Sequence, residues 1–250
     1  MRFDRRLWLL AVPLLLLASA AEAAKPRDTF VEFGGRRTDL GRTVLLVDVV
    51  VVDDIAGTVE KVKLGRSMSL AREAALGMAR GLAEHGVPVD TALVATIGAT
   101  LSPLQAFQTD SIEARGQADT ARTVRAPFYA DAAFAEREAL ELWRRAVSAS
   151  LAYSRKKNKP PGFVQETIDL GTRLGCDAVA MLVGVSWGVP TTKKLLAALG
   201  GTAVSSKTTV WLFISDARSG EVLWKQVEVF PSATGEEFAT ALERFAKELP

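Results

Sequence analysis

The stretch that most restricts the fold is residues 208–230, TTVWLFISDARSGEVLWKQVEVF. Val210, Trp211, Leu212, Phe213 and Ile214 are apolar in succession, so an extended segment here must be covered on both faces, as a central strand is. Asp216, Ser219 and Gly220 supply a turn, because an Asp carboxylate bonds its own downstream backbone and Gly takes a positive φ at no steric cost. Residues 222–230 then return as the partner strand of a β-hairpin. Trp224 shares a face of that strand with Val222, Gln226, Glu228 and Phe230, while Leu223, Val227 and Val229 leave the other face mostly apolar. The Leu223 face is therefore expected to meet the helices, with Gln226 at the surface and Trp224 partly covered by residues 193–199. No second copy of the hairpin occurs in the chain, which excludes a propeller.

Upstream, RTVLLVDVVVVDD at residues 42–54 reads as a strand buried on both faces, with Asp48 the odd residue in it. Ser69 offers an N-cap, after which Leu70, Ala74, Met78 and Leu82 recur every fourth residue until Gly86 stops the helix. Residues 92–101, ALVATIGATL, form a second strand. Residues 105–131 are polar and aperiodic apart from a short edge strand at 123–129, and they read as an insertion. Two helices follow, at 134–153 with a stripe of Leu140, Trp143, Val147 and Leu151, and at 163–174 closed by Gly175. DAVAMLVGVSW at 177–187 is another buried strand. Thr234, Gly235, Glu236 and Glu237 make a capping box, and Phe238, Leu242, Phe245 and Leu249 give the last helix one apolar face. Buried strands interleaved with helices define an α/β class: a mixed sheet with helices packed on it, a closing β-hairpin and a C-terminal helix.

The first residues lie outside that fold. Arg2, Arg5 and Arg6 precede the apolar run LWLLAVPLLLLA and small residues, the pattern of a secretory signal peptide over residues 1–23. Cleavage is expected after Ala20 or Ala23, since the run falls short of the ~20 residues that span a bilayer. Residues 24–42 read as a flexible arm, and 43–250 as one domain. Without residues 1–23 the chain has 28 basic and 27 acidic residues, a balance that argues against a nucleic-acid partner. Cys176 is the one cysteine, which precludes an internal disulfide and leaves no lipid-attachment site, so the expected location is a bacterial periplasm.

The strand VLLVDVVVVDD, the phrase LGCDAV at 174–179 and the phrase DARSGEVLW at 216–224 together resemble a fold group of bacterial envelope proteins. It comprises the amino-terminal domain of the Tol translocation protein, the curli secretion channel lipoproteins and the lipoprotein activators of penicillin-binding proteins. The resemblance implies an α/β fold and a non-catalytic, partner-binding role, and it carries over no functional residue.

Few side chains offer chemistry. His85 is the one histidine and sits just before Gly86, where a cation suits a helix end. Cys176 reads as a packing residue. Ser154 and Lys157 match the S-x-x-K spacing of serine acylases without that group's other elements. Asp53 and Asp54 lie at the carboxyl end of the first strand, where open α/β sheets place ligands, yet adjacent strand residues point to opposite faces, and a loop start accounts for them. The basic run from Arg155 to Lys159 reads as a solvated linker. No catalytic, cofactor-binding or metal residue is assigned, and no cofactor is expected. The function read from the sequence is a non-enzymatic accessory protein of the cell envelope, acting in assembly or transport by binding another envelope protein. A metal-dependent envelope hydrolase built on Asp53 and Asp54, and a homo-oligomeric subunit of an export apparatus, are the alternatives.

Overall fold

A computed structural model describes residues 40–55, 59–109, 122–128, 136–154, 164–188, 207–231 and 235–247. The leader, most of the arm, the basic run at 155–159 and the short segment at 193–199 lie outside the described residues. In chain order the elements are β1 (Thr43–Ile55), β2 (Val59–Val62), α1 (Leu64–Glu84), β3 (Val89–Ala95), β4 (Ala106–Thr109), β5 (Arg122–Arg125), α2 (Arg137–Ser154), α3 (Gln165–Leu174), β6 (Ala178–Trp187), β7 (Lys207–Asp216), β8 (Val222–Pro231) and α4 (Gly235–Lys247). They form one eight-stranded mixed sheet in the order β5-β4-β2-β1-β6-β7-β8, with β3 added beside β1. This is the α/β sheet with packed helices and a closing hairpin that the sequence pattern predicts.

β1 is the organising strand. It runs parallel to β6 along ten residues, from Thr43↔Ala178 to Val52↔Trp187, which accounts for its unbroken apolar character. Its other edge is divided: β3 pairs in parallel from Thr43 to Asp48, and β2 pairs antiparallel from Val52 to Ile55. β7, the strand predicted as central, is interior to the sheet, and its hairpin partner β8 forms the edge. β2 and β4 escape the sequence reading because each is four residues long, too short to show an alternation.

One face of the sheet lies under α1 and α4, with Leu45, Val47, Leu182, Leu212 and Ile214 meeting Met78, Leu82, Phe238 and Leu242. The two helices touch each other so closely that a side chain at Gly77 would collide with the Ala239 carbonyl. The opposite face lies under α2 and α3, where Leu46, Met181 and Phe213 meet Trp143, Val147 and Leu170. A third cluster covers the upper end of that face, formed by Val50, Val52, Val62, Leu101, Phe107 and Val185.

Three sequence expectations change here. α1 starts at Leu64 instead of after Ser69, because Ser67 bonds the Lys63 carbonyl at 2.6 Å and sits inside the first turns. β3 stops at Ala95, and the rest of the apolar run at 96–101 leaves the sheet. In β8 the face toward α1 and α4 carries Trp224, Gln226 and Phe230, at 2%, 6% and 9% exposure, whereas Leu223 is half-buried. The bulge at Leu223, where Ile214 pairs Trp224 and Ser215 pairs Val222, takes Val222 off the Trp224 face. The direction of the faces is decided by α4, which lays Phe238 and Phe245 edge-on against Phe230, with centroids 5.7 and 6.0 Å away, and no helix covers the other side of β8 among the described residues.

Candidate functional site

Asp48 sits where β1 parts from β3. Its carboxylate is fully buried and accepts three backbone N–H groups from the turn that follows β3: Oδ1 takes Ile97 at 3.0 Å and Gly98 at 3.3 Å, and Oδ2 takes Ala99 at 2.7 Å. The side chain thus stands in for a missing strand ladder. Gly98 makes the turn with φ +65°, and Phe128 packs so close to it that a Cβ would collide with the ring, so glycine is needed for both conformation and space. Burial pushes the Asp48 pKa up to about 6, with the three N–H bonds pulling it back down. The hydroxyls of Thr96 and Thr100 on the same turn are buried without a hydrogen-bond partner among the described residues.

Three residues further on, the gap between β3 and β2 is filled from α1. The Val51 N–H donates to Ser67 Oγ at 2.9 Å, and the Val51 carbonyl accepts the Lys63 N–H at 2.9 Å. Asp53 forms an ion pair with Lys63, and Gly188 lies against the Asp53 carboxylate with no room for a side chain. Asp53 and Asp54 are not a loop start, since both lie within β1, paired with Lys61 and Glu60. The strand continues because β2 folds back on it. Among the described residues, the polar groups of β1 near this end, the usual ligand position in an open α/β sheet, are thus engaged by the protein's own backbone and side chains. No group of three His, Cys, Asp or Glu side chains placed to hold a metal occurs among the described residues.

The remaining candidates are dispersed. His85 is the C-terminal cap residue of α1, followed by Gly86 at φ 86°. Cys176 is half-buried with Sγ 3.8 Å from the Gly171 carbonyl, and burial raises its thiol pKa. Ser154 ends α2, and its S-x-x-K partner lies outside the described residues. An open groove of about 660 Å³ beside α2 and α3 is lined by Arg137, Arg144, Arg145 and Arg173, interspersed with Glu138 and Glu141. Arg144 pairs Glu141 at 3.0 Å and Arg173 pairs Glu138 at 3.0 Å and also Glu136, so this is a solvated network of opposed charges.

At the opposite end of the strands, Asp177 closes the domain entrance. Its Oδ2 accepts the Arg42 backbone N–H at 2.9 Å and its Oδ1 accepts Arg218 Nε at 3.0 Å, and these bonds, Arg42 first, hold its pKa below the usual range. Asp216 Oδ1 accepts the N–H groups of Arg218 and Ser219 at 2.7 and 2.8 Å, the self-bonded turn that the sequence implies. The phrases at 174–179 and 216–224 therefore meet in space as a structural clasp.

Solvent reaches apolar side chains mainly at one place on the sheet. On the α2/α3 side, register pairs Trp187 of β6 with Lys207 of β7, and Thr209 and Trp211 of β7 with Val229 and Val227 of β8. Trp187 is 40% exposed and Val229 44% exposed, and Trp211 and Val227 are half-buried. Sequence reading missed this surface because its residues come from three strands that only the register brings together.

No protein-family model matches the chain, and no curated protein is similar to it. Solved structures to which the chain is similar include two PelC dodecamers from Paraburkholderia phytofirmans, one of them a single-residue variant. They share 9% and 10% identity with this chain, cover 90% of it and 95% and 96% of their own chains, and superpose with TM-scores of 0.33 and 0.34.

Proposed function

We propose that this protein is a non-catalytic accessory component of the bacterial cell envelope, exported to the periplasm by residues 1–23, that acts by binding another envelope protein. The observation that carries this reading is a contrast within the sheet. Among the described residues, Asp48, Ser67 and the Asp53–Lys63 pair are engaged in holding β1, β3 and α1 together, while Trp187 at the end of β6 and Val229 on the edge strand β8 present apolar surface to solvent. An exposed tryptophan suits protein recognition, where aromatic side chains anchor interfaces. The apolar leader, the near-neutral remainder of the chain and the absence of a lipid-attachment cysteine are consistent with a periplasmic protein. Chemical crosslinking in intact envelopes, followed by purification of the full chain, tests the role. One reproducible envelope protein at defined stoichiometry is the expected result. Recovery of the uncrosslinked chain, together with turnover of an envelope substrate, would replace this reading with an enzymatic one.

A further inference from the structure

Asp48 closes a turn that the strand ladder does not hold. Residues 96–101 leave the sheet where β3 ends, and the N–H groups of Ile97, Gly98 and Ala99 all end on this one carboxylate. The Phe128 N–H adds a bond to the Ile97 carbonyl at 3.1 Å. Ile97 and Ala99 pack into the α2/α3 cluster and Leu101 into the third cluster, which makes the shut turn the majority state. Shutting it also strips water from three polar side chains at once. They are the Asp48 carboxylate and the hydroxyls of Thr96 and Thr100, which have no hydrogen-bond partner among the described residues. All three are rehydrated when the turn lifts, which lowers the cost of opening.

No cation shares the burial of Asp48 among the described residues. Ala95 and Val183 flank it on β3 and β6. The α2 stripe toward this side of the sheet is Leu140, Trp143, Ala146 and Val147, and α3 adds Leu170. Residues 96–101 and 126–128 contain no ionisable side chain. On β1 itself Asp53 lies further along the strand, faces the other way and is paired with Lys63. Burial and the three N–H groups therefore set the proton affinity of Asp48.

We propose that residues 96–101 are a proton-controlled latch, shut most firmly in acid, that lifts off the sheet more readily as the pH rises and the Asp48 carboxylate ionises. Lifting uncovers Asp48 near the carboxyl end of the parallel strands, the usual ligand position in an open α/β sheet. Burial raises the Asp48 pKa from 3.8 to about 6 in the shut form, so the shut form binds the proton more tightly than the lifted one. Below 3.8 both forms are protonated, and above about 6 both are ionised. Between these values rising pH favours the lifted form, whose population grows roughly fifty-fold from pH 4 to pH 7. The latch is independent of the accessory role and of what the protein binds.

Hydrogen exchange of the full chain, read amide by amide by NMR at pH 4 and pH 7 and corrected for the chemical exchange rate, tests the latch. Protection of the Ile97, Gly98 and Ala99 amides is expected to fall at least about tenfold over this range. It should not respond to sub-denaturing urea, the mark of a local opening. Asp48→Asn removes the titrating group, so protection of the same amides should no longer change with pH. In the unsubstituted chain the Asp48 carboxyl carbon shift should titrate near pH 6, where the fall ends. The proposal is overturned by protection that is constant with pH, by a fall that Asp48→Asn retains, or by a carboxyl that titrates at its ordinary value. Urea dependence equal to that of the β1–β6 ladder amides overturns it too, because the exchange then belongs to global unfolding.

Discussion

The two faces of β8 are finished differently although they belong to the same ten residues. Toward α1 and α4, Trp224, Gln226 and Phe230 are buried under two helices pressed together at Gly77. Toward the other side, Val227 and Val229 stand beyond the reach of α2 and α3, which cover β1, β6 and the Phe213 end of β7. An apolar residue on an edge strand thus signals neither core nor surface by itself. What decides is whether a helix lies over it, and here the uncovered side is where outside recognition fits.

The sharpest break of this comparison is Trp224→Ala. Removing a large buried aromatic side chain from the α1/α4 face is expected to cost about 3–5 kcal/mol, read as a lower urea midpoint. A loss below 1 kcal/mol would mean that α1 and α4 do not close this face.

Next in size is a pH effect at Asp48, whose folded pKa is raised to about 6 from 3.8. Below 3.8 the group is protonated in folded and unfolded chains alike. Between 3.8 and about 6 the folded chain binds the proton more tightly, so its contribution to stability falls as pH rises and the loss is complete above about 6. At about 1.4 kcal/mol per pH unit this loss is on the order of 3 kcal/mol. Asp48→Asn removes the titration and sets an amide N–H against that of Ala99. The stability advantage of the unsubstituted chain should therefore be clear at pH 4 and shrink by that order at pH 8. A constant advantage in urea titrations at both pH values would show that the carboxylate is not buried as described.

Smaller again is Gln226→Met. The Gln226 Oε1 is buried without a hydrogen-bond partner among the described residues, and a thioether of similar length removes that desolvated oxygen. A gain of up to about 1 kcal/mol is expected, and a loss larger than that would place an undetected partner on the amide. The smallest effect belongs to Val229→Thr, which should change stability by less than about 0.5 kcal/mol as at other exposed sites. A larger loss in the thermal midpoint would show that the outer face of β8 is covered within the chain itself.

Much of the fold is legible before any coordinates. The unbroken apolar runs at β1, β6 and β7 require strands covered on both faces, the four-residue recurrence through Met78 and Leu82 requires a helix, and Gly175 and the Asp216 turn mark ends by local chemistry that needs no distant partner. Asp48 stood out as a lone charge in an apolar run, but its partners are backbone N–H groups of Ile97, Gly98 and Ala99, which no residue type announces. The same limit applied to β2 and β4, too short to carry a period, and to the faces of β8, whose direction depends on where α4 packs. Sequence by itself determined the longer elements, their order and the mixed α/β class, because periodicity and turn chemistry act over a few neighbouring residues. Only the tertiary structure decided that the sheet divides at Asp48, that α4 covers Trp224, and that Trp187 and Val229 share an uncovered face. Each of those depends on register and helix placement between segments distant in the chain.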